Sequence, residues 1–224
     1  CLLRFKKGVA TQTPKCSWHL CCLYTTPTRD QITKLAQQAR RLTMTIRTFS
    51  GHTPEIHDTV FVDPMALVIG KVTIGQDSSV WPFVLIRGDV NTISIGERCS
   101  VQDGTVIHVT HDGPMNPGGF PTRIGNEVTI GHKVMLHGCT IHARVLVGMG
   151  AIVMDGVTIE SDVVVGGGSL VPPGKTLEQG HLYVGSPVKK IRKLSAEELA
   201  FFQYTSGKYV DLKDEHKRSL ESSL

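Results

Sequence analysis

Aliphatic residues recur at every sixth position along most of the chain, beginning with Val62, Val68, Ile74, Val80 and Ile86. The series restarts at Ile95, Val101 and Ile107 after an insertion of three residues, and at Ile124, Ile130 and Leu136 after an insertion of eleven. One deletion later it runs through Ile141, Val147, Val153, Ile159, Val165 and Val171, which makes seventeen aligned hexads. Glycine often comes next, as in "IGQDSS", "IGERCS", "IGNEVT", "IGHKVM" and "VGMGAI". A helix would need apolar residues at three and four, and hairpins would need Asn-Gly turns between alternating strands. A period of six suits short strands joined by tight turns, with glycine permitting the backbone angles of a corner. Three hexads close one triangular coil, and each coil stacks on the one before to bury a continuous aliphatic column. The expected fold is mainly β, a parallel β-helix of about five triangular coils, over residues 44–186.

The repeat ends before "GSPVKKIRKLSAEELAFFQY". Ser195 and Glu198 make an S-x-x-E capping box, with Leu194 placed to staple to Leu199. The spacing predicts a helix from about Ser195 to Tyr204, packed alongside the coils through Leu199, Phe201 and Phe202. Residues 187–224 are therefore assigned to a C-terminal helical segment.

Charge changes the picture at the other end. Residues 1–43 hold eight Lys or Arg and one acid, Asp30, which leaves 16 basic and 19 acidic residues beyond them. The formal charge of +4 thus belongs to the N-terminal extension, and a nucleic-acid surface on the main domain is not expected. That extension reads as disordered or weakly helical, with Ile32, Leu35, Ala36, Ala39 and Leu42 on one helical face. Met44 is expected to be the functional start, with an organellar targeting role for residues 1–43 as the alternative. Cys16, His19, Cys21 and Cys22 are too crowded for tetrahedral zinc. Only Cys99 and Cys139 lie in the main domain, so a reducing, cytoplasmic setting is expected. No apolar run reaches the ~18 residues of a membrane span.

Assigning hexads to three faces in turn puts Ile86, Ile107, Leu136 and Val153 on one face. Arg87, His108, His137 and Met154 follow them and form a column with a rise of roughly 4.8 Å per coil. Two stacked imidazoles, His108 and His137, suit one zinc ion. His132 sits on the preceding face, five residues before His137, and cannot readily turn the corner to the same ion. A second subunit must bring it, and three faces suggest threefold cyclic symmetry.

The stretches "RGDV", "VQDGTVIHV" and "GHKVMLHGC" resemble those of the gamma-class carbonic anhydrases and their bacterial relatives in the hexapeptide-repeat superfamily. The resemblance runs from about Thr48 to about Tyr209. It implies a left-handed β-helix, a homotrimer, and zinc, with iron(II) or cobalt(II) as alternatives, at the subunit interfaces. His108, His132 and His137 resemble the metal ligands, and Gln102 the residue that hydrogen-bonds the metal-bound water. Arg87 and Asp89 resemble a pair that stabilises the interface and contacts bicarbonate, with an interface ion pair as the plainer reading. Asp103 matches an acceptor behind the ligands, and Tyr209 a tyrosine lining the site. The departures are glutamates: Val90 stands where one is expected, and the loop "VTHDGPMNPGGFP" has none, leaving His111 or Asp112 as substitutes. An asparagine expected before the final tyrosine is also missing from "YTSGKY".

The resemblance implies reversible hydration of carbon dioxide to bicarbonate by metal-bound hydroxide, and the missing glutamates imply that it is slow. Hydrolysis of an acyl-CoA thioester, hexapeptide acyltransferase chemistry and a metal-bearing trimeric scaffold without turnover are the alternatives. Met135, Met149 and Met154 are assigned to packing, and Cys99 to core filling.

Overall fold

A computed structural model of the chain describes residues 28–29 and 45–222. The chain divides into Cys1–Leu42 and Thr43–Leu224, and the second unit carries the fold. Apart from Thr28 and Arg29, the expectations for residues 1–43 lie outside the described residues.

The hexads become the rungs of three parallel ladders. One face stacks Ile46, Val68, Ile86, Ile107, Leu136, Val153 and Val171 in register. The next stacks Ile56, Ile74, Ile95, Ile124, Ile141, Ile159 and Leu177. The third stacks Val62, Val80, Val101, Ile130, Val147, Val165 and Tyr183. From Val68 to Leu177 these side chains are at most 4 % exposed, so the column is a dry core of branched aliphatics. Seven rungs per face, rather than about five coils, make the stack. Leu177 and Tyr183 prolong the six-residue step at one end, while at the other Ile46 and Ile56, ten residues apart, hide a coil from a period-six search.

Corners are where coils come closest. A Cβ on Gly148 would lie 2.5 Å from the amide nitrogen of Gly167 in the next coil, so only glycine fits. Another corner is built differently. Asp77, Arg98, Glu127, Arg144 and Asp162 all hold φ between 55° and 59° without being glycine. Each of the last four donates its backbone amide to the corner before it: Arg98 to Gln76, Glu127 to Glu97, Arg144 to Asn126 and Asp162 to Ala143. The side chains therefore alternate in sign down the stack. Arg144 grips Asp162 with two bonds of 2.6 and 3.1 Å, and the Arg98 guanidinium lies 3.6 Å from Glu127. The Arg144 hydrogen bonds outweigh burial and hold the Asp162 carboxyl below the usual range.

The two insertions differ. The eleven-residue one is a loop closed by bridges between Thr110 and Phe120 and between Gly113 and Asn116. The three-residue one does not leave the ladder as a loop. Strand Leu85–Ile95 runs through it, with Gly70 opposite Gly88 and Val72 opposite Ile93, so Asp89 to Thr92 form a bulge in the strand.

The segment assigned to helix begins with a strand, Val188–Lys193, antiparallel to His181–Gly185 on the last coil. The helix follows at Ala196–Glu221, with the capping box of Ser195 and Glu198 formed as expected. Arg192 adds two bonds to Glu198, of 2.7 and 2.8 Å, and with the backbone amide of Ser195 brings its carboxyl down to about 2. The helix passes Tyr204 and Gly207 because its docked face continues. Phe202, Ser206 and Lys213 are buried along it, and Lys213 reaches Asp77 at 3.5 Å and Asp214 at 2.6 Å. Ser206 donates to the Arg98 carbonyl, and the His216 ring stands edge-on to Trp81 at 5.0 Å. Leu199 and Phe201, expected at the contact, are instead 40 % and 50 % exposed.

Candidate metal centre

His108 and His137 end the adjacent strands Val106–His108 and Met135–His137 and pair directly in register. Their rings tilt at 57° with centroids 5.1 Å apart. Nδ1 of His108 and Nε2 of His137 approach to 3.1 Å. The opposite nitrogen of each ring is engaged by a carboxylate: Asp89 Oδ1 lies 2.9 Å from His108 Nε2, and Asp155 Oδ1 2.7 Å from His137 Nδ1. An ionised carboxylate only accepts, so each imidazole must donate its N–H outward when neutral. Two lone pairs then face each other at 3.1 Å. A cation between them satisfies both, and tetrahedral Zn–N bonds of about 2.0–2.1 Å set two such nitrogens roughly 3.3 Å apart. The donor set fits a zinc-sized ion.

The bulge after Gly88 has a task here, because it delivers Asp89 to His108 and to the Arg87 guanidinium. Burial raises the Asp89 carboxyl, yet the hydrogen bonds from His108 and Arg87 together hold it below its ordinary value. Burial also lowers His108, aided by the charge of Arg87 and only partly opposed by Asp89, which favours the neutral ring that a metal needs.

His132 is elsewhere. It turns out from the third-face corner, and its Nδ1 is 2.9 Å from Asp103 Oδ2. Gln102, one residue before Asp103 and 5 % exposed, donates its amide to the Tyr209 hydroxyl on the C-terminal helix. The expected residues therefore form two groups on one chain: Arg87, Asp89, His108 and His137, and then Gln102, Asp103, His132 and Tyr209. Among the described residues, no three His, Cys, Asp or Glu side chains of a single chain gather around one metal position. Each group leaves imidazole nitrogen free for an ion and neither completes a site.

Met135, Met149 and Met154, assigned to packing, are 46 %, 64 % and 38 % exposed. Apolar side chains on rungs beside ligand candidates are surface that a neighbour would cover. Cys139, two residues after His137, points into the core, where burial pushes its thiol up to about 12, and Cys99 does the same. In the loop, Asp112 accepts the Gly118 amide at 2.6 Å and so closes the turn. Asp155 was missed by sequence reading. Its only signal is position: it follows Met154, the residue stacked next to His137 in the column.

No protein-family model matches the chain. Curated relatives do. Protein YrdA of Escherichia coli is 53% identical over 171 residues, covering 76% of this chain and 93% of its own. Carbonic anhydrase of Geobacillus kaustophilus is 36% identical over 77% of this chain and 91% of its own. Gamma carbonic anhydrase 2, mitochondrial, of Arabidopsis thaliana is 37% identical over 84% of this chain and 69% of its own. A solved hexapeptide transferase family protein from Anaplasma phagocytophilum superposes with a TM-score of 0.71 at 36% identity, covering 76% of this chain and 97% of that one. The fold and its paired imidazoles define a hexapeptide-repeat protein of the left-handed β-helix class. Within that class, the chain belongs to the gamma carbonic anhydrase family.

Proposed function

We propose that the chain is a zinc-dependent enzyme of the gamma carbonic anhydrase type, assembled as a homotrimer, that slowly and reversibly hydrates carbon dioxide to bicarbonate. The observation that carries this reading is the meeting of two imidazole nitrogens at 3.1 Å, each ring held from behind by a carboxylate. The second group, with His132 held by Asp103, supports completion of the site by a neighbouring chain, as threefold cyclic symmetry allows. The exposed methionines supply apolar area for that contact.

His108 and His137 of one chain and His132 of the next would hold the ion, and iron(II) or cobalt(II) would suit the same nitrogens. A zinc ion held there would lower the pKa of a water from 15.7 to about 7 and so supply hydroxide near neutral pH. Gln102, fixed through its amide nitrogen to Tyr209, keeps its carbonyl oxygen to accept from a water in the site. The partly exposed Arg87 guanidinium, held by Asp89, offers a positive charge to bicarbonate. Val90 cannot carry a proton, and Asp112 is bound into its own turn. Protons must leave through His111 or solvent, which is why turnover is slow.

Among the described residues no helix is long and apolar enough to cross a membrane. The unpaired buried thiols of Cys99 and Cys139 support a reducing compartment, and we assign the cytoplasm. Stopped-flow hydration of carbon dioxide by zinc-loaded and chelator-treated protein tests the reading. Faster hydration with zinc is expected; equal rates refute it. The solved hexapeptide transferase relative supports acyl-CoA chemistry as the second reading. Zinc-dependent cleavage of an acyl-CoA ester panel without carbon dioxide hydration would favour it, and bound zinc with neither turnover a scaffold.

A further inference from the structure

We propose that Asp155 is a positioning residue: it fixes His137 in the tautomer that carries its proton on Nδ1, leaving Nε2 bare toward His108. The proposal deepens the metal-site reading and, for its consequence on metal affinity, rests on it. A neutral imidazole has two tautomers, and only one presents a lone pair to a given side. Asp155 Oδ1, 2.7 Å from His137 Nδ1, rewards the tautomer with the proton on that atom. The same oxygen accepts the Thr110 hydroxyl at 3.0 Å, so the carboxylate is held against rotation by a second donor from the start of the eleven-residue loop.

The surrounding coil makes room for this contact and for little else. A Cβ on Gly138, directly after His137, would run into Asp155 Oδ1 and would sit 2.6 Å from Phe120 Cβ. Gly138 also holds φ at +55°, which glycine adopts without strain. A Cβ on Gly156, the other neighbour of Asp155, would lie 3.3 Å from the Phe120 ring. Two glycines and one loop aromatic thus shape the slot in which the carboxylate meets the ring. Asp89 plays the corresponding part for His108, and Asp103 for His132, so each ligand candidate has one aspartate behind it. A purely structural role, tying the loop to the coil through Thr110, would need neither the 2.7 Å approach to the ring nor its nitrogen.

The test compares wild type, Asp155→Ala, Asp155→Asn and Thr110→Val as full chains labelled with nitrogen-15 in histidine. Long-range proton–nitrogen spectra of the metal-free proteins, at a pH where the rings are neutral, report which nitrogen of His137 bears hydrogen. Chelator competition then measures zinc affinity. Wild type and Thr110→Val should show the Nδ1–H form. Asp155→Ala should show a mixture of tautomers and about tenfold or greater loss of zinc affinity. Asp155→Asn, which keeps an acceptor oxygen, should retain the tautomer and lose less. Circular dichroism melts confirm that each variant folds. An Nε2–H ring in wild type, or an unchanged tautomer in a folded Asp155→Ala, overturns the proposal. Wild type with the Nδ1–H ring but no zinc binding would refute the metal-site reading while upholding the role of Asp155 in setting the ring.

Discussion

Division of the site into two groups predicts complementation between damaged chains. His132→Ala removes the ligand offered to one neighbour, and His137→Ala removes one of the pair offered to the other. If the proposed homotrimer forms, either variant alone should be nearly free of zinc, because tetrahedral sites that lose one of three imidazoles bind poorly. When the two variants are unfolded together in equal amounts and refolded, about three quarters of the trimers are mixed. Every mixed ring places one intact His108 and His137 pair beside one intact His132, whichever variant is in the majority. About one site in three is then restored in each mixed trimer, or about a quarter of all sites in the sample. Zinc per chain after gel filtration, measured by atomic emission, reads the outcome directly. Recovery near a quarter of the wild-type content is expected. No recovery, or zinc retained by either variant alone, would refute a site built from two chains.

Gly148→Ala should lower stability by about 1–3 kcal/mol, since its Cβ would press on Gly167 of the next coil, and a denaturant melt measures this. Tyr209→Phe removes the oxygen that accepts from the Gln102 amide; a loss of about 1 kcal/mol in stability and slower carbon dioxide hydration should follow. Burial lowers His108 below its ordinary 6.5, so the unfolded chain binds the extra proton first. That contribution to stability is complete above about pH 6.5 and is lost as pH falls through the lower folded value. The melting temperature of metal-free wild type should therefore fall more steeply toward about pH 5 than that of His108→Gln.

The coil architecture was legible because a period of six, with glycine after the aliphatic, admits few backbones. Stacking also placed His108 beside His137 without any coordinates. The ends of the stack were harder to see, since Ile46 and Ile56 are separated by a stretch that breaks the period. The helix runs past the expected boundary near Tyr204 because packing overrides Gly207, a residue about 1 kcal/mol worse than alanine in a helix. Here Lys213 and His216 dock against Asp77 and Trp81, contacts between residues more than a hundred positions apart that no local pattern announces. The bulge at Asp89 was not legible, because sequence records the number of added residues but not whether the strand continues through them. Asp155 escaped notice for a related reason: an Asp-Gly pair at a coil corner is ordinary turn chemistry until the ring opposite is known.

The corner of Asp77, Arg98, Glu127, Arg144 and Asp162 bears on how such a chain finds its own ladder. Valines and isoleucines are nearly interchangeable from rung to rung, so burial alone scarcely distinguishes a coil from its neighbour. Sliding by one coil would seat acid on acid and base on base along this edge, a mismatch the aliphatic interior does not feel. Alternating sign thus tells each coil from the one next to it, a distinction of odd from even that the aliphatic column does not make.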